Sequence, residues 1–187
     1  MNFSTLQKRP DGINLYPRSA RVKKTLFIGG IKSGKSLNAQ KYILQNSHFP
    51  KPVYLATTEF IDEEMRTRVE AHKLSRADEF ETIEEPLEIL KIVSTCKSSV
   101  LVECVSMWIN NMLHHKRSFE DMVRELESVL KLDKTIVFVL NDVGCGIIPD
   151  NKLAREFVDI SGKLSQLIAS DCDEVYHTIA GISTRIK

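Results

Sequence analysis

The sequence predicts a single α/β domain: a mostly parallel sheet flanked by helices, with antiparallel strands at its C-terminal end. Three observations carry that expectation. Strand-length apolar runs alternate with amphipathic stretches through most of the chain, as repeated strand–helix units require. Two of the runs, SVLVEC at 99–104 and TIVFVL at 135–140, are apolar almost throughout, as strands covered on both faces must be. A glycine-rich turn follows the first run and opens into helix-compatible sequence.

Taken in order, residues 25–28 (TLFI) form the first strand, and a helix runs from Lys35 to about Gln45. VYLA at 53–56 is the second strand, and Asp62 to about Ser75 the second helix. A short extended piece around 80–83 precedes a helix that Pro86 can start, since its missing N–H is no loss in a first turn. The two apolar runs supply central strands. Asn151 to about Ala169 reads as a long helix with Leu153, Phe157, Ile160, Leu164, Leu167 and Ile168 on one side. Residues 174–179 and 182–186 are terminal strands, paired in a hairpin around Ala180–Gly181. No repeat, low-complexity tract or linker divides the chain. Residues 24–187 are therefore read as one domain, and residues 1–23 as a basic extension carrying Lys8, Arg9, Arg18, Arg21 and Lys23.

Composition excludes several functions. The 187 residues are 42% hydrophobic and 27% charged, ordinary for a globular protein with its own core. Lys and Arg number 26 against 25 Asp and Glu, so the basic excess of a nucleic-acid-binding surface is missing. The longest apolar runs fall far short of a membrane span. Cys96, Cys104, Cys145 and Cys172 form no C-x-x-C pair and no metal-ligand spacing, which suits a reducing, cytoplasmic setting.

The strongest motif is Gly29-Gly30-Ile31-Lys32-Ser33-Gly34-Lys35-Ser36, which satisfies G-x-x-x-x-G-K-[ST] between a strand and a helix. Glycines let the backbone curl until successive N–H groups point at phosphate oxygens, and the new helix adds its positive end. Lys35 would reach the β- and γ-phosphates, and the Ser36 hydroxyl would ligate Mg²⁺. A chance glycine turn is the weaker reading of so complete a motif. Glu103, at the end of Val100-Leu101-Val102, is the first candidate for the acidic partner of the metal, and Asp142 the second. Either could simply cap a strand end; for Asp142 that reading is as good.

Three further segments narrow the reaction. They are Ala56-Thr57-Thr58 with D-E-E-M-R-T-R-V-E-A-H-K-L-S-R at 62–76, Val102-Glu103-Cys104-Val105-Ser106-Met107-Trp108 with Asn110-Asn111, and Asn141-Asp142-Val143-Gly144-Cys145-Gly146-Ile147-Ile148-Pro149. With the phosphate loop they resemble the bifunctional adenosylcobinamide kinase/adenosylcobinamide-phosphate guanylyltransferases of cobalamin biosynthesis, from about Thr25 to Lys187. The resemblance implies a RecA-like P-loop domain that assembles as a homotrimer. It implies phosphorylation of the aminopropanol hydroxyl of adenosylcobinamide by GTP or ATP with Mg²⁺. It further implies transfer of GMP from GTP, through a guanylyl-histidine, to adenosylcobinamide phosphate. By position the histidine is His72, and nucleotide contacts fall on residues 29–36, on Ala56, Thr57 and Thr58, on Lys73, Leu74, Ser75 and Arg76, and on Glu84 and Glu103. Three positions depart from the pattern: Asp142 stands where glutamate is usual, Ala77 where proline is common, and Phe80 where tryptophan is expected.

On a helix over 62–75, His72 shares a face with Ile61, Met65 and Val69, while Arg68 and Arg76 lie four residues to either side. The helix alone would make His72 a core histidine; the resemblance makes it the nucleophile. Two guanidinium neighbours disfavour a further positive charge and keep the imidazole neutral, the form able to attack phosphorus. Two rival functions share the phosphate loop: a monofunctional P-loop kinase or NTPase, and a non-catalytic sensor of nucleotide and corrinoid.

Overall fold

The computed structural model describes residues 22–59 and 78–187. The predicted helix over 62–75, with His72 and residues 73–76, lies outside them, as does most of the N-terminal extension.

Among the described residues, seven strands and five helices follow in the order β1 (Lys24–Gly29), α1 (Lys35–Asn46), β2 (Val53–Ala56), β3 (Glu81–Glu84), α2 (Ile89–Thr95), β4 (Val100–Glu103), α3 (Val105–His114), α4 (Phe119–Leu130), β5 (Ile136–Asn141), α5 (Lys152–Asp171), β6 (Glu174–Ile179) and β7 (Ile182–Arg185). The strands form one sheet in the order β3-β2-β4-β5-β1-β6-β7. Every pairing is parallel except β6 with β7. The predicted class, a mostly parallel sheet with an antiparallel C-terminal hairpin, is the observed one.

Successive side chains of a strand point to opposite faces, and here both faces are covered. Leu26, Leu55, Val102, Phe138 and Leu140 enter one core with residues of α2, α3, α4 and α5. Phe27, Tyr54, Leu101, Val137 and Val139 enter a second with Ala39 and Ile43 of α1. That is why the central runs carry no polar alternation. Phe80, the residue that departs from tryptophan, is 2% exposed and meets Tyr54 edge-on with ring centroids 5.8 Å apart. The smaller ring still fills a core position.

Three readings of the sequence need adjustment. Pro86 does not start a helix: α2 begins at Ile89, and the intervening turn is closed by the Glu85 carboxylate, which accepts from the N–H groups of Leu87 and Glu88. Leu153, grouped with the apolar side of α5, is 63% exposed, and the buried part of that side begins only at Ile160. Helix α4 was not read at all, although Ser118 and Asp121 cap its start reciprocally and Met122, Leu126, Val129 and Leu130 are buried.

Candidate functional site

Parallel strands deliver their C-terminal ends to one edge of the sheet, the usual place for a ligand in such folds. Ala56 pairs with Glu84 on one side and Glu103 on the other, so three of the predicted nucleotide contacts stand in one row. The phosphate loop leaves β1 on the same edge.

Its conformation is forced by close backbone approaches. A Cβ on Gly29 would lie 2.3 Å from the Thr178 carbonyl oxygen and 2.8 Å from Ser33 Oγ, so only glycine fits. Gly34 has φ 94°, in the left-handed region that glycine occupies without penalty. It is also the N-cap of α1, which has neither a side-chain cap nor an acidic residue in its first turn. The first N–H groups of α1 are thus left for an anion. The Ser33 N–H donates to Gly30 O at 3.2 Å, and the buried Ser33 hydroxyl makes no hydrogen bond among the described residues.

Lys35 is 5% exposed and its Nζ donates to Gly30 O at 3.2 Å. Burial pulls the ammonium's pKa down, and the nearby Glu103 carboxylate works in the other direction. Ser36 Oγ donates to Glu103 Oε1 at 2.7 Å, joining the two residues assigned to the metal. Hydroxyl and carboxylate oxygens form a hard donor set that suits Mg²⁺. Asp142 behaves differently. Its oxygens accept from the Gly144 N–H at 3.2 Å and the Cys145 thiol at 3.0 Å, closing its own loop, while its N–H donates to Gly29 O at 2.9 Å. Of the two carboxylates, Glu103 is the one bonded to the motif.

Thr57 is fully buried. Its hydroxyl donates to Cys104 O at 2.8 Å and accepts from Cys104 N at 3.0 Å, tying the end of β2 to the end of β4. Ala56 and Thr58 beside it are half-buried, and Glu84 is exposed at the end of β3. Helix α3 crosses these strand ends. Asn111 Nδ2 donates to Thr57 O at 2.6 Å and Pro86 O at 3.0 Å, and Trp108 Nε1 to Leu87 O at 2.8 Å. In the sequence Asn111 stands within a motif, and nothing in its spacing shows a brace. His114 and His115 lie exposed at the end of α3, with His115 Nε2 against Glu59 at 2.9 Å.

The family described as cobinamide kinase / cobinamide phosphate guanyltransferase matches residues 25–186. The bifunctional adenosylcobalamin biosynthesis protein CobU of Salmonella typhimurium is 32% identical over 181 residues, 87% of this chain and 98% of its own. Its Escherichia coli K12 counterpart is 30% identical with the same coverage, and CobP of Pseudomonas aeruginosa is 32% identical over 170 residues, 88% and 97% of the two chains. Among solved structures, flagellar accessory protein FlaH from Methanocaldococcus jannaschii superposes loosely (TM-score 0.46, 13% identity, 87% of this chain and 75% of that one). A KaiC-like protein from Pyrococcus horikoshii OT3 does likewise (0.47, 12%, 83% and 70%). The match over 25–186 takes in the phosphate loop, Glu103 and the strand-end row alike, and the chain belongs to the cobinamide kinase / cobinamide phosphate guanyltransferase family.

Proposed function

We propose that both activities of this enzyme of cobalamin biosynthesis, the kinase and the guanylyltransferase, run at the one phosphate cradle formed by residues 29–36. The observation that supports this most directly is the Ser36–Glu103 contact beside a buried Lys35, at the mouth of an uncapped helix. A triphosphate laid there meets backbone N–H groups and the Lys35 ammonium together. Ser36 and Glu103 would hold Mg²⁺, which when bound offsets the charge of the phosphates.

In the kinase step the aminopropanol hydroxyl of adenosylcobinamide attacks the γ-phosphorus of GTP or ATP. The new O–P bond forms as the bond to the bridging oxygen breaks, and the diphosphate leaves. In the second step a neutral His72 nitrogen attacks the α-phosphorus of GTP, and pyrophosphate leaves. A phosphate oxygen of adenosylcobinamide phosphate then takes the GMP, freeing His72. A covalent intermediate divides one difficult transfer into two easier ones. Arg68 and Arg76 would neutralise the triphosphate during the attack. The Ala56–Thr58 strand end, residues 73–76 and Glu84 would contact the nucleoside side.

Membership of a family with both activities favours this over a monofunctional kinase or a non-catalytic sensor. Two further readings belong with it: a homotrimer of domains spanning 24–187, and residence in the cytoplasm. All four thiols are free, and no helix among the described residues is long and apolar enough to cross a membrane.

GTP labelled at the α-phosphate, followed by denaturing electrophoresis, tests the covalent route. Wild-type protein should take the label as an acid-labile, base-stable phosphoramidate. His72→Ala should take none and lose guanylyl transfer, while much of the kinase activity survives. A labelled His72→Ala protein would place the nucleophile elsewhere.

A further inference from the structure

The phosphate loop is shaped by more than β1 and α1. The turn of the β6–β7 hairpin lies against it, with Ala180 at φ 50° and Gly181 at φ 82°. The Gly181 N–H donates to Ser33 O at 2.7 Å. A Cβ on Gly34 would come within 2.9 Å of Gly181 Cα, so two backbones touch where the second glycine of the motif sits. Asn38, one turn along α1, clamps this contact: its Nδ2 donates to Gly181 O at 2.9 Å and to Ser183 Oγ at 2.8 Å. The Ser183 hydroxyl in turn shares a 2.8 Å hydrogen bond with Thr178 Oγ1. Thr178 also supplies the carbonyl that leaves room only for glycine at position 29. Both glycine ends of the motif are therefore moulded on one hairpin.

A peptide unit is planar, and in its trans form the C=O and the following N–H point in opposite directions. Pinning Ser33 O to Gly181 therefore also fixes the direction of the Gly34 N–H, away from the hairpin. Lys35 and Ser36 follow directly on that fixed plane. A latch at this peptide sets the loop's donors before any phosphate arrives, which is where preorganisation counts most.

We propose that the β6–β7 hairpin belongs to the nucleotide-handling machinery, with Asn38 as a positioning residue that holds the Ser33–Gly34 peptide through Gly181. The inference rests on the phosphate seat assigned above. It differs from a purely structural latch in what it changes: nucleotide affinity, in both reactions, by the same factor. A latch that only joins β7 to α1 would change melting temperature and leave affinity alone.

The test uses the full-length chain with GTP as probe: GTP affinity by calorimetry, KM and kcat for each reaction, and melting temperature in parallel. Losing the Asn38 amide should weaken GTP binding roughly tenfold, from two hydrogen bonds that each contribute modestly. Asn38→Ala should therefore raise the KM for the nucleotide donor in both reactions by that factor, at a temperature well below melting, with kcat falling less. Asn38→Gln, which keeps an amide donor, should recover part of the affinity. Unchanged affinity in Asn38→Ala, whatever its melting temperature, overturns the proposal. If Asn38→Ala does not fold, Ser183→Ala carries the test, since it removes one of the two bonds. About a threefold weakening supports the proposal, and wild-type affinity overturns it. Lys35→Ala, run alongside, separates the two levels. If it binds GTP like wild type, the seat itself is misplaced; if it loses GTP while Asn38→Ala does not, only the hairpin's role falls.

Discussion

Asn111→Leu isolates the brace that α3 places over the strand ends. The side chain is fully buried, and its amide nitrogen serves two carbonyls, Thr57 O at 2.6 Å and Pro86 O at 3.0 Å. Leucine shares asparagine's branched shape, so no cavity opens, but its methyl cannot sit where the amide nitrogen lies 2.6 Å from Thr57 O, and the strain of the larger side chain adds to the polar cost. The Thr57 carbonyl is left buried without a donor, which costs about 1–3 kcal/mol; Pro86 is only half-buried, so water offsets most of its loss. Against this stands a gain, because Asn111 Oδ1 is itself buried and accepts no hydrogen bond among the described residues, and leucine removes that desolvated acceptor. The gain recovers part of the loss but not both bonds, and the polar balance alone is a destabilisation of about 1–2 kcal/mol. For a domain of this size that lowers the melting temperature by roughly 2–8 °C. The freed carbonyl belongs to Thr57, so the Ala56–Thr58 edge shifts as well and the KM for nucleotide rises. Asn111→Asp should be worse, since it sets a carboxylate against two carbonyl oxygens. Thermal melts and kinase kinetics on the three proteins decide the matter. If Asn111→Leu matches wild type in both melting temperature and KM, the brace does not hold the strand end.

Two other outcomes can be checked with less effort. Lys35→Met should raise the melting temperature of nucleotide-free protein by a few degrees, roughly, while abolishing GTP binding, because a buried ammonium depressed by desolvation opposes folding until phosphates surround it. A melt with and without GTP reads both effects; a lower nucleotide-free melting temperature would show that Lys35 supports the fold. The second concerns Glu174, whose burial alone would raise its pKa. Hydrogen bonds from Lys23 at 2.8 Å and Tyr42 at 2.6 Å outweigh burial and hold the carboxyl below its ordinary value. A carboxyl depressed on folding contributes stability that is present above its unfolded pKa and is lost as pH falls through the folded value. Glu174→Gln should therefore be less stable than wild type near neutrality, and the gap should narrow on acidification below about pH 4.5, the ordinary glutamate value. A gap that stays constant down to pH 3 would refute it.

The sequence by itself determined the fold class, the strand positions and the phosphate loop, and each for a local reason. Unbroken apolar runs such as TIVFVL occur where both faces of a strand are covered, and β5 is buried on both. The motif from Gly29 to Ser36 is legible because glycine and lysine are needed at fixed spacings along the chain itself. Glu103 could be read as the first candidate for the acidic partner because it ends a strand, and Ala180–Gly181 as a turn because glycine accepts the positive φ that a two-residue hairpin needs.

What only the tertiary structure decided is how distant pieces converge on that loop. No spacing relates Gly181 to Ser33, or Asn111 to Thr57 and Pro86, since these contacts depend on strand order and on the path of α3 across the sheet. The sequence ranks Glu103 ahead of Asp142 but relates neither to the loop by spacing, since both end apolar runs. Three-dimensional packing separates them: β4 carries Glu103 to the Ser36 hydroxyl, whereas Asp142 turns back on the N–H of Gly144 and the thiol of Cys145. The misread start of α2 has the same origin. Proline permits a helix start, but the Glu85 carboxylate takes the first free N–H groups and delays the helix to Ile89. Local chemistry states what each residue can do; hydrogen bonds between segments far apart in the chain select which of those possibilities is used.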